Sequence, residues 1–200
     1  MFINSLDVVN SCLGTIGEVP LNSLDTDHPY VSASVKLLRE ANARVQARGW
    51  WFNRETITLH PDEVSREITV PQDILSLDTQ SGQLKYAVRG RRLYDLIKGT
   101  YQFTEGPVTV VIVRLLPFED LPFIAQDVVQ ASTVVRFVES YDADRSRVEQ
   151  VRADYALAEA NCNAEHVRNS NANFLTQGAG GAARLRVRYP GGRSGHMRTH

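Results

Sequence analysis

The stretch RGWWFNRETITL, residues 48–59, is the most informative part of this chain, because the period of its apolar residues changes there. Before Gly49, apolar side chains recur at the three- and four-residue spacing of an amphipathic helix. Residues 51–59 instead alternate and are rich in aromatic and β-branched side chains, which is typical of a strand. Gly49 suits the position that follows a helix, where glycine commonly terminates it. The sequence therefore predicts that a helix ends and a sheet begins at Trp50.

Two helices are predicted on the N-terminal side of this point. The first covers residues 5–13, and the second covers residues 30–48, beginning next to Pro29, since proline suits the first helical turn. Each presents one apolar face, with Leu6, Val9, Leu13 and Ile16 in the first helix and Val31, Val35, Leu38 and Val45 in the second.

A small antiparallel β-unit is predicted next, over residues 51–116. Its candidate strands are residues 51–59, 67–70, 74–78, 85–88, 92–95 and 108–116. Glycines at positions 82, 90, 99 and 106 separate them at intervals that favour hairpins.

Two further helices follow the β-unit. One runs from Pro122 to about residue 141, and the other begins after a cap at Asp142 or Asp144 and extends toward residue 173. Their apolar faces carry Phe123, Val128, Ala131, Val135 and Val138 in the first and Val148, Val151, Tyr155, Ala158 and Cys162 in the second.

These elements predict an α+β fold: a four-helix bundle with a small antiparallel β-domain inserted between helices 2 and 3, plus an extended basic C-terminal tail. We expect the bundle to comprise residues 1–50 and 117–175, the β-domain residues 51–116, and the tail residues 176–200. The tail is rich in Gly and Arg and poor in apolar residues, so we expect it to be flexible in the free chain.

Composition excludes several classes of protein. The 200 residues are 42% hydrophobic and 22% charged, with 22 basic against 23 acidic residues, which is ordinary for a globular protein. The two cysteines, Cys12 and Cys162, form neither a zinc motif nor a disulfide framework, so a reducing, intracellular environment is expected. No apolar run is long enough for a membrane span, and the first residues do not resemble a signal peptide.

The charge is distributed unevenly. Five of the basic residues, all arginines, lie after position 175, where there is no acidic residue. The 17 basic residues that remain in residues 1–175 face all 23 acidic ones, so that part carries a net charge of about −6.

Within the tail, three arginines alternate with three apolar residues: Arg184, Leu185, Arg186, Val187, Arg188 and Tyr189. An extended segment with this pattern places its arginines on one side and its apolar groups on the other. We expect it to dock on a sheet edge or groove of another subunit; the alternative is a basic end without a function.

The chain lacks the sequence motifs of nucleotide-binding, serine-hydrolase and zinc-protease sites. No catalytic, metal-binding or cofactor-binding residues are therefore predicted, and no small-molecule substrate or cofactor. Glu119 and Asp120 are a candidate carboxylate pair for a glycosidase, although acidic residues at a helix start explain them more simply. Trp50, Trp51 and Phe52 suggest either a stacking platform or, as we favour, the hinge core between the bundle and the β-domain.

Several short sequence motifs, which occur in a fixed order along the chain, resemble those of a known family. They are VN at residues 9–10, LGTIGEVP at 13–20, RGWWFN at 48–53, DILSL at 73–77, SGQ at 81–83, RG at 89–90 and LYD at 93–95. The chain is similar to the tail tubular proteins of type A, the head-to-tail adaptors of short-tailed bacteriophages. The resemblance covers about residues 4–155 and fades beyond residue 173.

That resemblance implies a helical bundle with an inserted β-rich domain, and a ring of twelve identical subunits. It further implies that the ring joins the portal to the tail nozzle, a tubular protein B-like partner, and that DNA passes through the centre without sequence-specific binding. In such an assembly we expect the segment 184–189 to dock on the portal or on a neighbouring subunit. The protein would then belong to the short tail of the virion, assembled in the host cytoplasm.

Two other functions are alternatives at this point. One is a tail-associated polysaccharide or peptidoglycan hydrolase that uses acidic residues near Glu119 and Asp120. The other is a DNA-binding module that uses the arginines. The net negative charge of residues 1–175 argues against DNA binding, since affinity for DNA depends on neutralising its phosphates.

Overall fold

A computed structural model of the chain describes residues 2–25, 27–79, 85–141 and 144–177, with side chains described as far as residue 170. The helices are α1 Ser5–Thr15, α2 Val31–Gln46, α3 Phe123–Tyr141 and α4 Arg145–Gln177. The strands are β1 Arg54–Leu59, β2 Ile74–Asp78, β3 Tyr86–Arg89, β4 Arg92–Asp95 and β5 Val108–Arg114. A short 3-10 helix, Phe118–Asp120, links β5 to α3.

The helices pack around α3, which contacts each of the other three. Asn4 starts α1 through a capping box: its side chain accepts a 2.9 Å hydrogen bond from the Asp7 amide, and its own amide donates 2.9 Å to the Asp7 carboxylate. The main helical core joins apolar side chains of all four helices, among them Val8, Leu38, Ala41, Val45, Val128, Val129, Ala158 and Cys162. Burial of these side chains, more than helix propensity, holds the helices together.

The strands form a three-stranded antiparallel sheet in the order β1-β5-β2, and a separate β3-β4 hairpin. Gly90 and Arg91 join β3 to β4, with φ of 54° and 64°, as a two-residue hairpin loop with left-handed residues requires. This part has its own core, built from Leu59, Ile68, Val70, Leu93, Phe103, Val110 and Ile112.

The α+β fold class with four helices and an inserted β-domain is confirmed. The assignment of residues 67–70 to a strand is wrong: they make only isolated bridges, Glu67 with Gln102 and Thr69 with Arg92. Ile68 and Val70 are nevertheless buried, so their burial produced the strand-like pattern.

The prediction that Phe123 faces the core is also wrong, because its side chain is 52% exposed. It lies two positions before the buried Ala125, and two positions are about 200° around a helix, so it points to the opposite side. None of the helices within the described residues is long and apolar enough to span a bilayer.

Candidate functional site at the helix–strand junction

Trp50, the first of the three predicted hinge residues, is buried in the helical core. Its indole nitrogen donates a 2.6 Å hydrogen bond to the carbonyl of Val45 on α2, which satisfies its polar end. Its ring lies 5.5 Å, edge to face, from the ring of His166 on α4, and the Arg48 guanidinium lies 4.8 Å from its centroid. Trp50 thus ties the end of α2 to α4.

Trp51 and Phe52 extend the aromatic cluster and are half-buried. The rings of Trp51 and Phe52 lie 5.1 Å apart, and the ring of Trp51 lies 6.5 Å from Trp50 and 6.2 Å from His166. Both side chains pack against the helical core and neither belongs to the core of the β-domain. The structure therefore brings the three predicted residues together on the bundle side of the junction; their role as a hinge stays a prediction.

A buried side-chain amide, Asn53, connects the two parts of the fold. Its side-chain oxygen accepts a 2.8 Å hydrogen bond from the amide of Trp50. Its side-chain nitrogen donates to two backbone carbonyls, 3.0 Å to Gln46 at the end of α2 and 2.9 Å to Arg114 at the end of β5. This one buried residue therefore connects the C-terminal end of α2, the turn before β1 and the C-terminal end of β5.

Gln46 forms the second half of this network, and it too is fully buried. Its side chain donates 2.8 Å to the carbonyl of Leu116 and accepts 2.8 Å from the amide of Leu116, so it pairs with this backbone as a neighbouring strand would. Asn42, one turn earlier on α2, donates 3.0 Å to the same carbonyl and accepts 2.8 Å from Gln46.

Asn42, Gln46 and Asn53 were not among the residues predicted from the sequence. The sequence does contain a signal for two of them: Asn42 and Gln46 are four residues apart on the face of α2 that also carries Leu38, Ala41 and Val45. An amide on a core face must find partners, because burying it unpaired is costly.

Gly49 allows the backbone to pass close to the sheet. It has φ of +75°, and a Cβ atom built there would lie 2.9 Å from Cγ2 of Val113 on β5. Both the conformation and the contact exclude a side chain, so the expected helix-ending glycine also sets the distance between α2 and β5.

Two ion-pair groups flank the junction. On the sheet, Arg114 pairs with Glu55, 3.1 Å from Nε to the carboxylate, and with Asp73, and these hydrogen bonds raise the pKa of its guanidinium. On the helices, Arg48 pairs with Glu159 of α4 and donates 3.2 Å to Asn163. All these side chains are partly exposed, so each pair contributes little to stability by itself.

The predicted carboxylate pair lies away from the junction, in the 3-10 helix. Glu119 accepts a hydrogen bond from the Ser5 hydroxyl of α1 and lines a cavity of about 340 Å³ together with Leu38 and Phe118. Asp120 is exposed and does not line that cavity. The structure therefore assigns Glu119 a contact between α1 and the 3-10 helix, and Asp120 lies outside the cavity that Glu119 lines.

Other candidate residues are placed as follows. Cys12 and Cys162 are buried free thiols, and burial raises their pKa to about 12 and about 11. Within the described ranges, no group of three or more His, Cys, Asp or Glu side chains is placed to hold a metal ion. The predicted docking segment, Arg184, Leu185, Arg186, Val187, Arg188 and Tyr189, lies outside the described residues.

Comparison with known proteins identifies the family to which this chain belongs. The family model described as tail tubular protein matches residues 6–172, which includes both the helical and the β part. A curated relative, tail tubular protein A of Klebsiella phage KP34, is 30% identical over 128 residues. That match covers 60% of this chain, and the chain spans 63% of the length of the relative. Because the family model matches far more than half of the sequence, this chain belongs to the tail tubular protein family.

Proposed function

We propose that this protein is a structural head-to-tail adaptor of a short-tailed phage. Twelve copies would form a ring between the portal and the tail nozzle, with a central channel through which DNA passes. The observation that carries the proposal is the family match over residues 6–172, which includes the bundle, the junction and the β-domain. The protein would act within the virion, after assembly in the host cytoplasm.

The junction supports a mechanical role. An adaptor must hold two partner-binding surfaces at a constant distance and angle, and buried polar networks with every member paired make such a connection rigid. Hydrogen bonds of Asn53 and Gln46 hold the end of α2 against the turn before β1 and against the backbone at the end of β5. Trp50 connects α2 to α4 through its contact with the ring of His166. In this proposal Trp50, Trp51 and Phe52 form the core of the connection between a bundle of residues 1–50 and 117–175 and a β-domain of residues 51–116.

The two parts suit different neighbours. Long helices provide repeated, rigid contacts between identical subunits, whereas short strands and loops adapt to a partner of a different shape. We place the bundle in the ring, facing the portal, and the β-domain toward the nozzle. The negative net charge of residues 1–175 favours passage of DNA over its retention.

Electron microscopy of the full-length protein mixed with its portal tests this function. We expect rings of constant diameter on one face of the portal, with the β-domain on the far side. Dispersed subunits at every protein concentration tried, or rings that never associate with the portal, would contradict the proposal. The junction variant Asn53→Ala and the matched surface variant Asn161→Ala show whether the connection matters: only the first should give rings with irregular β-domains.

We also propose that the protein has no catalytic activity. The described contact of Glu119 supports a structural role, because its carboxylate accepts a hydrogen bond from the Ser5 hydroxyl of α1. The double variant Glu119→Gln with Asp120→Asn tests this, since the amide oxygen of the introduced glutamine can still accept the Ser5 hydrogen bond. Any glycan-degrading signal of a purified preparation should be unchanged. A signal that disappears while rings still form would favour the hydrolase.

A further inference from the structure

An unfilled groove runs between α3 and α4. It has a volume of about 210 Å³ and is lined by Ala131 and Val134 of α3, Val151 of α4, and two carboxylates, Asp127 and Asp154. Gln130 of α3 completes the lining, and its side-chain nitrogen donates 2.7 Å to the Ser11 hydroxyl. The groove thus combines three apolar side chains with one acidic residue from each helix. A groove of this kind favours a ligand that combines apolar groups with positive charge.

Its two carboxylates form no ion pair with another described residue. Neither Asp127 nor Asp154 takes part in an ion pair or a side-chain hydrogen bond within residues 2–25, 27–79, 85–141 and 144–170. Asp127 is partly buried, and desolvation raises the pKa of its carboxyl group. A positively charged group bound in this groove would stabilise the ionised form of Asp127 and so offset the cost of its desolvation.

The tail has the complementary chemistry. The segment 184–189 alternates three arginines with Leu185, Val187 and Tyr189. Lying extended in the groove, it would set its apolar side against Ala131, Val134 and Val151, while the long arginine side chains reach Asp127 and Asp154. The negative charge of residues 1–175 and the five positive charges that follow agree with this pairing.

The length of the chain indicates which copy supplies the segment. α4 ends at Gln177, 23 positions after Asp154, which is about 35 Å along a helix. Arg186 follows Gln177 by nine positions, which span at most about 32 Å when fully extended. Arg188 follows Gln177 by eleven positions, at most about 40 Å, so a single arginine of the same chain reaches the level of Asp154 only if the chain doubles straight back along α4. A segment 184–189 that is centred on Asp154 therefore has to come from another copy.

We propose that the groove between α3 and α4 binds residues 184–189 of a neighbouring copy of this chain. The inference rests on the proposed ring, in which identical copies are neighbours, and it identifies the surface on which the tail docks. Each subunit then offers one groove and one tail, a head-to-tail contact that closes into a ring without a second kind of interface.

Disulfide trapping in the full-length protein tests the contact. Two variants that each carry one added cysteine, Val134→Cys in the groove and Val187→Cys in the tail, are mixed at a concentration where native mass spectrometry detects assembled copies. The native Cys12 and Cys162 do not interfere, because both are buried. Mild oxidation should link the two variants into a dimer, and Val64→Cys, at a site that is 92% exposed on the β-domain, should not replace Val134→Cys.

Charge exchange tests the specificity of the contact. Asp127→Arg with Asp154→Arg in the groove variant should slow trapping about tenfold or more, because loss of charge-assisted hydrogen bonds removes at least one factor of ten in affinity. Arg186→Asp with Arg188→Asp in the tail variant should restore it. The milder Asp127→Asn with Asp154→Asn should also slow trapping, so the test does not depend on whether the arginine variant folds.

The results that would contradict the groove assignment can be distinguished from those that would contradict the proposed ring. Assembly without trapping, trapping unaffected by the charges, or equal trapping at residue 64 would overturn the groove assignment and leave the ring intact. A double variant that carries both Val134→Cys and Val187→Cys is oxidised in parallel, and a disulfide that forms only within its single chains would show that the tail binds its own subunit, which also overturns the inference. If the copies never assemble, the proposed ring fails together with it.

Discussion

Asn53, in the turn before β1, donates a 3.0 Å hydrogen bond from its side-chain amide to the backbone carbonyl of Gln46, the last residue of α2. The same amide reaches the carbonyl of Arg114 at the end of β5. Asn53 thus links Gln46, seven positions earlier in the helical part, to Arg114, 61 positions later in the sheet.

Asn53→Ala should lower the free energy of unfolding by about 3 kcal/mol. The substitution leaves the Trp50 amide without its partner and removes the side-chain hydrogen bonds to the carbonyls of Arg114 and Gln46, although the Gly49 amide still donates to the Gln46 carbonyl. A buried group left unpaired costs about 1–3 kcal/mol, and each further hydrogen bond lost costs about 1 kcal/mol. Urea unfolding followed by circular dichroism measures the change. Asn161→Ala, at an exposed position of α4, is the matched control and should stay within about 0.5 kcal/mol of the native protein.

Gly49→Ala should destabilise the protein by about 2 kcal/mol, whereas Gly14→Ala should not. At Gly49 the left-handed backbone costs an L-residue about 1–2 kcal/mol, and the new Cβ would lie 2.9 Å from Val113. Gly14 lies inside α1 with no heavy atom within 4 Å of a built Cβ, so alanine there should stabilise the helix by up to about 1 kcal/mol. Thermal unfolding of both variants checks the contrast; equal melting temperatures would contradict the close approach of Gly49 to β5.

Asp127→Asn should stabilise the monomeric chain at neutral pH. Desolvation raises the folded-state pKa of Asp127 above the ordinary value of 3.8, so the folded state holds this proton more tightly than the unfolded state does. The native chain therefore loses stability as the pH rises through the ordinary and the raised pKa, and keeps that loss at pH 7. Below pH 3.8 both states are protonated, and the advantage of the asparagine variant should disappear.

Unfolding measured from about pH 3 to pH 7, at protein concentrations too low for assembly, checks this pH dependence. Asp154→Asn serves as the control, since Asp154 lines the same groove but is exposed. An advantage of the Asp127→Asn variant that grows toward low pH would show that the carboxylate has a favourable partner in the folded chain.

Cys12 and Cys162 should not react with a thiol reagent at about pH 8 while the protein is folded. Burial raises their pKa to about 12 and about 11, so almost no thiolate is present, and neither side chain is accessible to the reagent. Ellman's reagent should detect two thiols only after guanidinium unfolding. Rapid reaction of one thiol in the folded protein would indicate local opening of the helix that carries it.

The order of the elements could be predicted from local sequence. The change of apolar period at Trp50, and the change back at Pro117, predicted the insertion of a β-domain between α2 and α3, because side-chain periodicity follows directly from backbone geometry. The sequence words near residues 13–20 and 48–53 predicted the family, which the family model supports over residues 6–172. Both kinds of information are local along the chain.

The residues that connect the two parts became apparent only once the chain was packed in three dimensions. Asn53 looks like an ordinary turn residue until Arg114 is placed beside it, and Phe123 looks like a core residue until the orientation of α3 turns it outward. The groove between α3 and α4 is likewise a property of two packed helices, since Asp127 and Asp154 are 27 positions apart. Such relationships depend on contacts between distant segments, which local periodicity does not encode.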